Sequence, residues 1–188
     1  MSSLRMFENA TALSQAAGAE FVALAMAAIA ARGRFTVAPS LVHRMRGDDP
    51  DLDRAARDYQ LTIARRFGVD VEGPPPALDL ILLGMGPDGH TASLFPASPA
   101  LKERRRWVVR NHAARLGADR ITLTAPILNE GRDIRLLVTG ADKAETLKAV
   151  LEGPADPERL PVQLMAPTSG RLRWLLDRAA AAALKVGA

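Results

Sequence analysis

Apolar residues along this chain keep two rhythms, and the alternation between them sketches a fold. From about Thr11 to Arg32, Leu13, Ala17, Phe21, Leu24 and Ala28 recur every three or four positions, the spacing of one helix face, and Gly33 offers a natural stop. Arg34-Phe35-Thr36-Val37-Ala38 then reads as a short strand. Asp49-Pro50 is a strong helix start, an acceptor side chain at the cap followed by proline at the first helical position. Behind it Leu52, Ala56, Tyr59 and Ile63 share a face, and Gly68 closes the helix. Gly73-Pro74-Pro75-Pro76 is a stiff connector with too little reach to separate two domains.

The run Leu78 to Leu83 is almost continuously apolar, as in a strand covered on both faces. Further strands are expected at Trp107-Val108-Val109, Arg120 to Thr124, Ile134 to Val138 and Val162 to Met165. Helices are expected near Lys143 to Leu151 and from Leu172 to Leu184. Strands alternating with helices predict an α/β fold: one domain over residues 1–188, with an open, mainly parallel, Rossmann-like sheet in three layers.

Composition narrows the function classes. At 188 residues the chain can bury a proper core, and without cysteine it can have no disulfide, thiolate zinc site or cysteine nucleophile. A net charge of +4 and a pI near 10.1 invite a nucleic-acid partner. Acids are interleaved with the bases, however, as in Asp51-Leu52-Asp53-Arg54, and the densest run, Lys102-Glu103-Arg104-Arg105-Arg106, is short. Aromatic stacking platforms are few, so no nucleic-acid partner is expected and an anionic small substrate suits the charge equally well. Met1 to Asn9 has no apolar core and carries Arg5 and Glu8, so cytoplasm is the expectation. The alanine-rich stretch Phe21 to Ala31 is too short to span a bilayer, and no membrane role is expected.

Gly84-Met85-Gly86-Pro87-Asp88-Gly89 matches the G-x-G-x-x-G pattern behind a buried strand. A dinucleotide site would need a helix directly after the loop and an acid at a strand end about 20 residues on. Pro96 and Pro99 forbid a long helix, and Glu103 sits in a charged run. The other functional reading is a loop at the carboxyl end of a central strand, where open α/β sheets place ligands. Three glycines there permit close backbone approach, while Asp88 and His90 put a carboxylate and an imidazole on one turn. Neutral imidazole can take a proton from water near pH 7. Residue chemistry alone leaves this open against a plain tight turn with a surface histidine and a capping aspartate.

The longer phrase Leu82-Leu83-Gly84-Met85-Gly86-Pro87-Asp88-Gly89-His90-Thr91-Ala92-Ser93-Leu94-Phe95-Pro96 resembles the signature of the 6-phosphogluconolactonases. Related amino-sugar phosphate isomerases and deaminases share its glycine, aspartate and histidine core, but the Thr91 to Pro96 continuation is lactonase-like. The resemblance continues through Arg120 to Thr124 with Pro126, Leu128 and Asn129. It runs on through Gly140 to Leu147, Leu160 to Leu164 and Trp174 to Asp177, about four-fifths of the chain.

It implies a lactonase and isomerase type of fold and hydrolysis of 6-phospho-D-glucono-1,5-lactone in the oxidative pentose phosphate pathway, without metal or cofactor. It implies that His90 activates water, with Asp88 as partner. Gly84, Gly86, Gly89 and Thr91 would shape the substrate site, and Arg120 and Lys143 would meet phosphate or developing negative charge. A monomer or weak homo-oligomer is expected, and His43 and His112 match nothing and read as surface residues.

One departure stands out. Family members continue from a strand like Phe35-Thr36-Val37-Ala38 into a Ser-Gly-Gly-Ser-Thr-Pro phosphate loop and later an Asp-Glu-Arg motif. Here Ala38 leads through Pro39-Ser40 to Val42-His43-Arg44-Met45. An internal deletion of roughly 50 residues is therefore expected, more than one βαβ unit. A catalytically impaired remnant and, less favoured, an amino-sugar phosphate isomerase or deaminase remain the rival readings.

Overall fold

In the computed structural model, which describes residues 2–38 and 43–185, the apolar run after Asp79 forms a strand at Leu80–Gly84 inside a parallel sheet. In chain order the strands are β1 (Ser2–Phe7), β2 (Val37–Ala38), β3 (Leu80–Gly84), β4 (Val108–Ala113), β5 (Ala118–Leu123), β6 (Asp133–Val138) and β7 (Arg171–Asp177). The helices are α1 (Ala10–Arg32), α2 (Leu52–Phe67), α3 (Ala125–Asn129) and α4 (Ala144–Glu152). Five strands form the sheet in the order β1-β7-β6-β3-β2, every pairing parallel, while β4 and β5 make a separate antiparallel hairpin.

Successive side chains on a strand face opposite ways, so the register sorts the sheet into two faces. Ile81 pairs with Ile134 and Ile134 with Leu172, Leu136 pairs with Trp174, and Val138 pairs with Leu176. These residues join one apolar cluster with Leu147 and Val150 of α4, the alanines of α2 and the hairpin's Val108 and Ile121. Leu80 and Leu175 are also buried but lie outside that cluster, as do Leu13 and Ala28 of α1. Arg135, on the same face as Leu80, pairs with Glu20 of α1. Among the described residues helix α1 therefore forms the third layer alone.

Beneath α1 the layer is ionic as well as apolar. Arg135 is 4 % exposed and bonds both Glu20 and Asp133, while Arg5 of β1 reaches Glu20 and Arg171 lies 3.3 Å from Asp133. Burial, and the neighbouring guanidinium groups of Arg173, Arg171 and Arg5, pull Arg135 down to about 10. It remains cationic at neutral pH.

Several expectations shift. The segment expected to be one helix from Leu172 to Leu184 opens as β7, because it lies between β1 and β6 and finds backbone partners on both sides; turns follow Asp177. Val162 to Met165 is not a strand. Pro161–Leu164 is a 3-10 turn, in which Val162 N–H donates to Gly89 O and Met165 N–H to Val162 O. Helix α2 is capped by Asp51, which accepts from Arg54 N–H at 2.9 Å, and not by Asp49. Asp49 is instead buried and accepts from Asp51 N–H and Arg54.

Strand β1 had no counterpart in the sequence reading. Among the described residues only β7 pairs with it, and its side chains are mostly exposed, so no alternating apolar pattern announces it. Helix α1 is 23 residues, longer than the stretch judged too short for a bilayer. By length and composition it could cross one; here Leu13 and Ala28 are buried and Glu20 bonds Arg135.

Candidate active site

Asp79 fixes the start of the strand that carries the site. Its carboxylate accepts from Thr36 N–H at 2.9 Å, Thr36 Oγ1 at 2.8 Å and Arg32 at 2.6 Å, and its own N–H donates to Thr36 Oγ1. Strand β3 then runs to Gly84, and the loop from Met85 turns back at the carboxyl edge of the sheet. Gly86 N–H donates to His90 O at 2.9 Å and Gly89 N–H to Gly86 O at 3.0 Å, closing a tight double turn. No helix follows: Thr91 and Leu94 form an isolated bridge, and the dinucleotide reading lacks the helix N-terminus it needs.

Two glycines are dictated by this turn. A Cβ on Gly86 would lie 2.2 Å from the His90 ring, so only glycine lets the imidazole fold against the backbone. Gly89 sits at φ +78°, and a side chain there would meet Leu160 at 2.8 Å. Gly84 is exposed at the strand end, and its carbonyl accepts from the buried Thr91 hydroxyl at 2.8 Å.

The geometry between Asp88 and His90 is specific. Nδ1 of His90 lies 2.5 Å from Asp88 Oδ1, and the ring rests on Phe95 with centroids 4.7 Å apart. Partial burial pushes the Asp88 carboxyl up, but the His90 side-chain bond, the His90 N–H and the imidazole's charge outweigh it, holding the group below the usual carboxylate range. An ionised carboxylate can only accept, so Nδ1 carries a proton, and in the neutral tautomer that this bond selects the Nε2 lone pair is free. The His90 side chain is 30 % exposed. It lines a cavity of about 690 Å³ together with Gly84, Gly86, Ser93, Thr122, His43 and Arg44.

Neighbouring elements hold the loop. Thr146, in the first turn of α4, donates to Pro87 O at 2.6 Å. Ser93 N–H donates to Thr122 Oγ1 at 3.1 Å, and the buried Asn111 donates to Ser93 O at 2.7 Å and Ser98 Oγ at 2.9 Å. The hairpin thus clamps the segment after His90. Nothing in the sequence pattern singled out Asn111 or Thr122 for this, since their partners are fixed only by the hairpin's placement.

The expected cations fare differently. Lys143 ends a 3-10 turn after β6, the strand beside β3, with Nζ 2.9 Å from Asp142. Arg120 is exposed on β5, with one bond, to Asp119 O at 3.4 Å, among the described residues. Neither lines the His90 cavity among the described residues. His43, expected to be a surface residue, is partly exposed, forms part of the cavity wall and accepts from Arg66 Nε at 3.1 Å. Its neighbour Arg44 supplies a cation to that wall. His112 is exposed and bonds Asp119 at 2.9 Å. The expected deletion junction, residues 39–42, lies outside the described residues.

A family model described as glucosamine-6-phosphate isomerases/6-phosphogluconolactonase matches residues 37–174. The chain belongs to that family. A 6-phosphogluconolactonase of Homo sapiens is 41% identical over 141 residues, 73% of this chain and 53% of the human protein. One from Synechocystis is 38% identical over 155 residues, 82% of this chain and 63% of that protein. The crystal structure of a 6-phosphogluconolactonase from Shewanella baltica superposes with a TM-score of 0.77 at 18% identity, covering 94% of this chain and 98% of the other, a likeness of fold. The chain spans about half the length of the human relative, and the matched family region contains the His90 loop, Arg120 and Lys143.

Proposed function

We propose that this member of the family hydrolyses 6-phospho-D-glucono-1,5-lactone to 6-phospho-D-gluconate, the lactonase step of the oxidative pentose phosphate pathway, in the cytoplasm. The observation that carries the reading is the His90–Asp88 pair, 2.5 Å apart, on a loop at the carboxyl edge of a parallel sheet and open to a cavity. Asp88 accepts from Nδ1–H, which selects the neutral tautomer whose Nε2 can act as a base. Nε2 takes a proton from water as the water oxygen attacks the lactone carbonyl. As the tetrahedral intermediate collapses, the ring C–O bond breaks and the imidazolium returns the proton to the departing C5 oxygen. One water is consumed, and a carboxylic acid and a hydroxyl result.

General-base assistance of this kind is worth roughly 10² to 10⁴ in rate. His90→Ala should therefore lose about that factor in lactone hydrolysis, measured beside wild type and corrected for spontaneous ring opening. Equal rates at saturating lactone would sink the general-base role.

A second reading, an impaired remnant, is favoured by Arg120 and Lys143 standing outside the cavity lining, which among the described residues leaves Arg44 as its arginine, with Arg115 beside Asp88 at 3.8 Å. It goes with the proposed loss of the phosphate loop, which the intact mass of the protein from its native source would test. An isomerase or deaminase activity is the weaker alternative, because Thr91 to Pro96 follow the lactonase pattern.

A further inference from the structure

Beside the His90 cavity lies a second concavity of about 500 Å³, within the size range of small-molecule sites. The two share His43 and Tyr59 as walls, but the second runs away from His90 toward Leu78, just before β3. Its charged lining among the described residues is wholly cationic, Arg34 and Arg66, with no carboxylate. Arg66 gives its Nε–H to His43 Nε2, and the Arg34 guanidinium rests 5.5 Å above the Phe67 ring. Neither has a carboxylate within ion-pair distance among the described residues, in contrast to Arg32 next door, which pairs with Asp79 at 2.6 Å. Both guanidiniums are thus positioned by groups that leave their charge uncompensated.

The rest of the lining is apolar and aromatic, including Phe35, Tyr59 and Ile63. Arginine's planar fork suits phosphate oxygens, and an aromatic wall suits a flat apolar body. We propose that this concavity binds an aromatic phosphomonoester of the nucleoside monophosphate kind, its phosphate between Arg34 and Arg66 and its ring system against Tyr59 and Ile63. This site is separate from the hydrolysis proposed for His90 and stands or falls on binding alone. Burial raises the Tyr59 phenol, which keeps that wall uncharged for an anionic ligand.

Calorimetric titration of the intact chain with adenosine 5′-monophosphate, adenosine and inorganic phosphate tests it. The monophosphate should bind at least about tenfold more tightly than either fragment, since both halves of the site are then used. The double variant Arg34→Gln/Arg66→Gln should weaken monophosphate binding by about tenfold or more, the loss of at least one charge-assisted bond, while its circular dichroism stays that of wild type. Should that variant fail to fold, Arg34→Lys and Arg66→Lys singly keep the charge but lose the fork, and each should still bind more weakly. His90→Ala should bind as wild type does. A monophosphate that binds no better than inorganic phosphate, undiminished binding in the arginine variants, or binding lost in His90→Ala would each overturn the assignment.

Discussion

On one face of the sheet, Ile81, Ile134, Leu136, Val138, Trp174 and Leu176 share an apolar cluster with α2, α4 and the β4–β5 hairpin. On the other, Leu80 and Leu175 lie with Arg135 and Asp133 beneath α1 alone, and much of that helix's apolar surface, including Met26 at 68 % exposure, faces outward. The first face supplies the elements that brace the His90 loop: Thr146 from α4, and Thr122 and Asn111 from the hairpin. The second is tied by charge. Precise positioning of the imidazole therefore depends on the apolar face, and attachment of α1 depends on an ion cluster centred on Arg135 and Asp133, neither of which can be removed singly without leaving a buried charge.

The strongest way to break the comparison is Arg135→Ala. It leaves Asp133 and Glu20 without their shared cation and should cost about 3–5 kcal/mol in urea unfolding. Replacing the Arg135–Asp133 pair together, by Met and Leu, should cost clearly less; an equal loss would show that the cluster does not act as an ionic unit. Next comes Leu136→Ala on the apolar face, expected to cost about 2–5 kcal/mol as a cavity opens under the loop's supports. Lactone hydrolysis should fall with it well before the protein unfolds, whereas Arg135→Ala should leave the folded fraction's rate nearly unchanged.

A smaller, pH-dependent effect sharpens the site itself. The Asp88 carboxyl is held below its ordinary value near ~3.9, so the stabilisation it brings is present above that pH and fades as pH falls through the lower folded value. Asp88→Asn should be less stable than wild type at neutral pH, with the gap closing below about pH 4. A gap that widens with acid would reverse the sign and remove this hydrogen-bond account. Smallest of all, Val22→Ser, Met26→Gln and Ile29→Ser on the outward face of α1 should each change stability by no more than about 0.5 kcal/mol in thermal melts. A larger loss would mean that this face is covered in solution.

How much of this was legible in the residues varies by element. Helices α1, α2 and α4 and strands β3, β5 and β6 were visible because each carries its own period or apolar run. The segment from Leu172 was misread because a run such as Leu172-Arg173-Trp174-Leu175-Leu176 next to alanines suits a helix as well as a strand. Only the slot between β1 and β6 decides it. His43 looked inert because no local pattern predicts that the chain will fold it onto the wall of a cavity built from β3.

The sequence by itself determined the α/β class, through short runs that each carry their own period, and placed Asp88 and His90 on one turn; the family came from the resemblance of the whole Leu82 to Pro96 phrase and the segments after it. Tertiary structure alone decided the sheet order, the partners Thr122, Asn111 and Thr146 that hold the loop, the burial of Arg135 under Glu20, and which cations face the cavity. Those contacts join residues as far as 115 positions apart, as Arg135 and Glu20 are, and such pairings are chosen by packing of the whole chain rather than by any local run of residues.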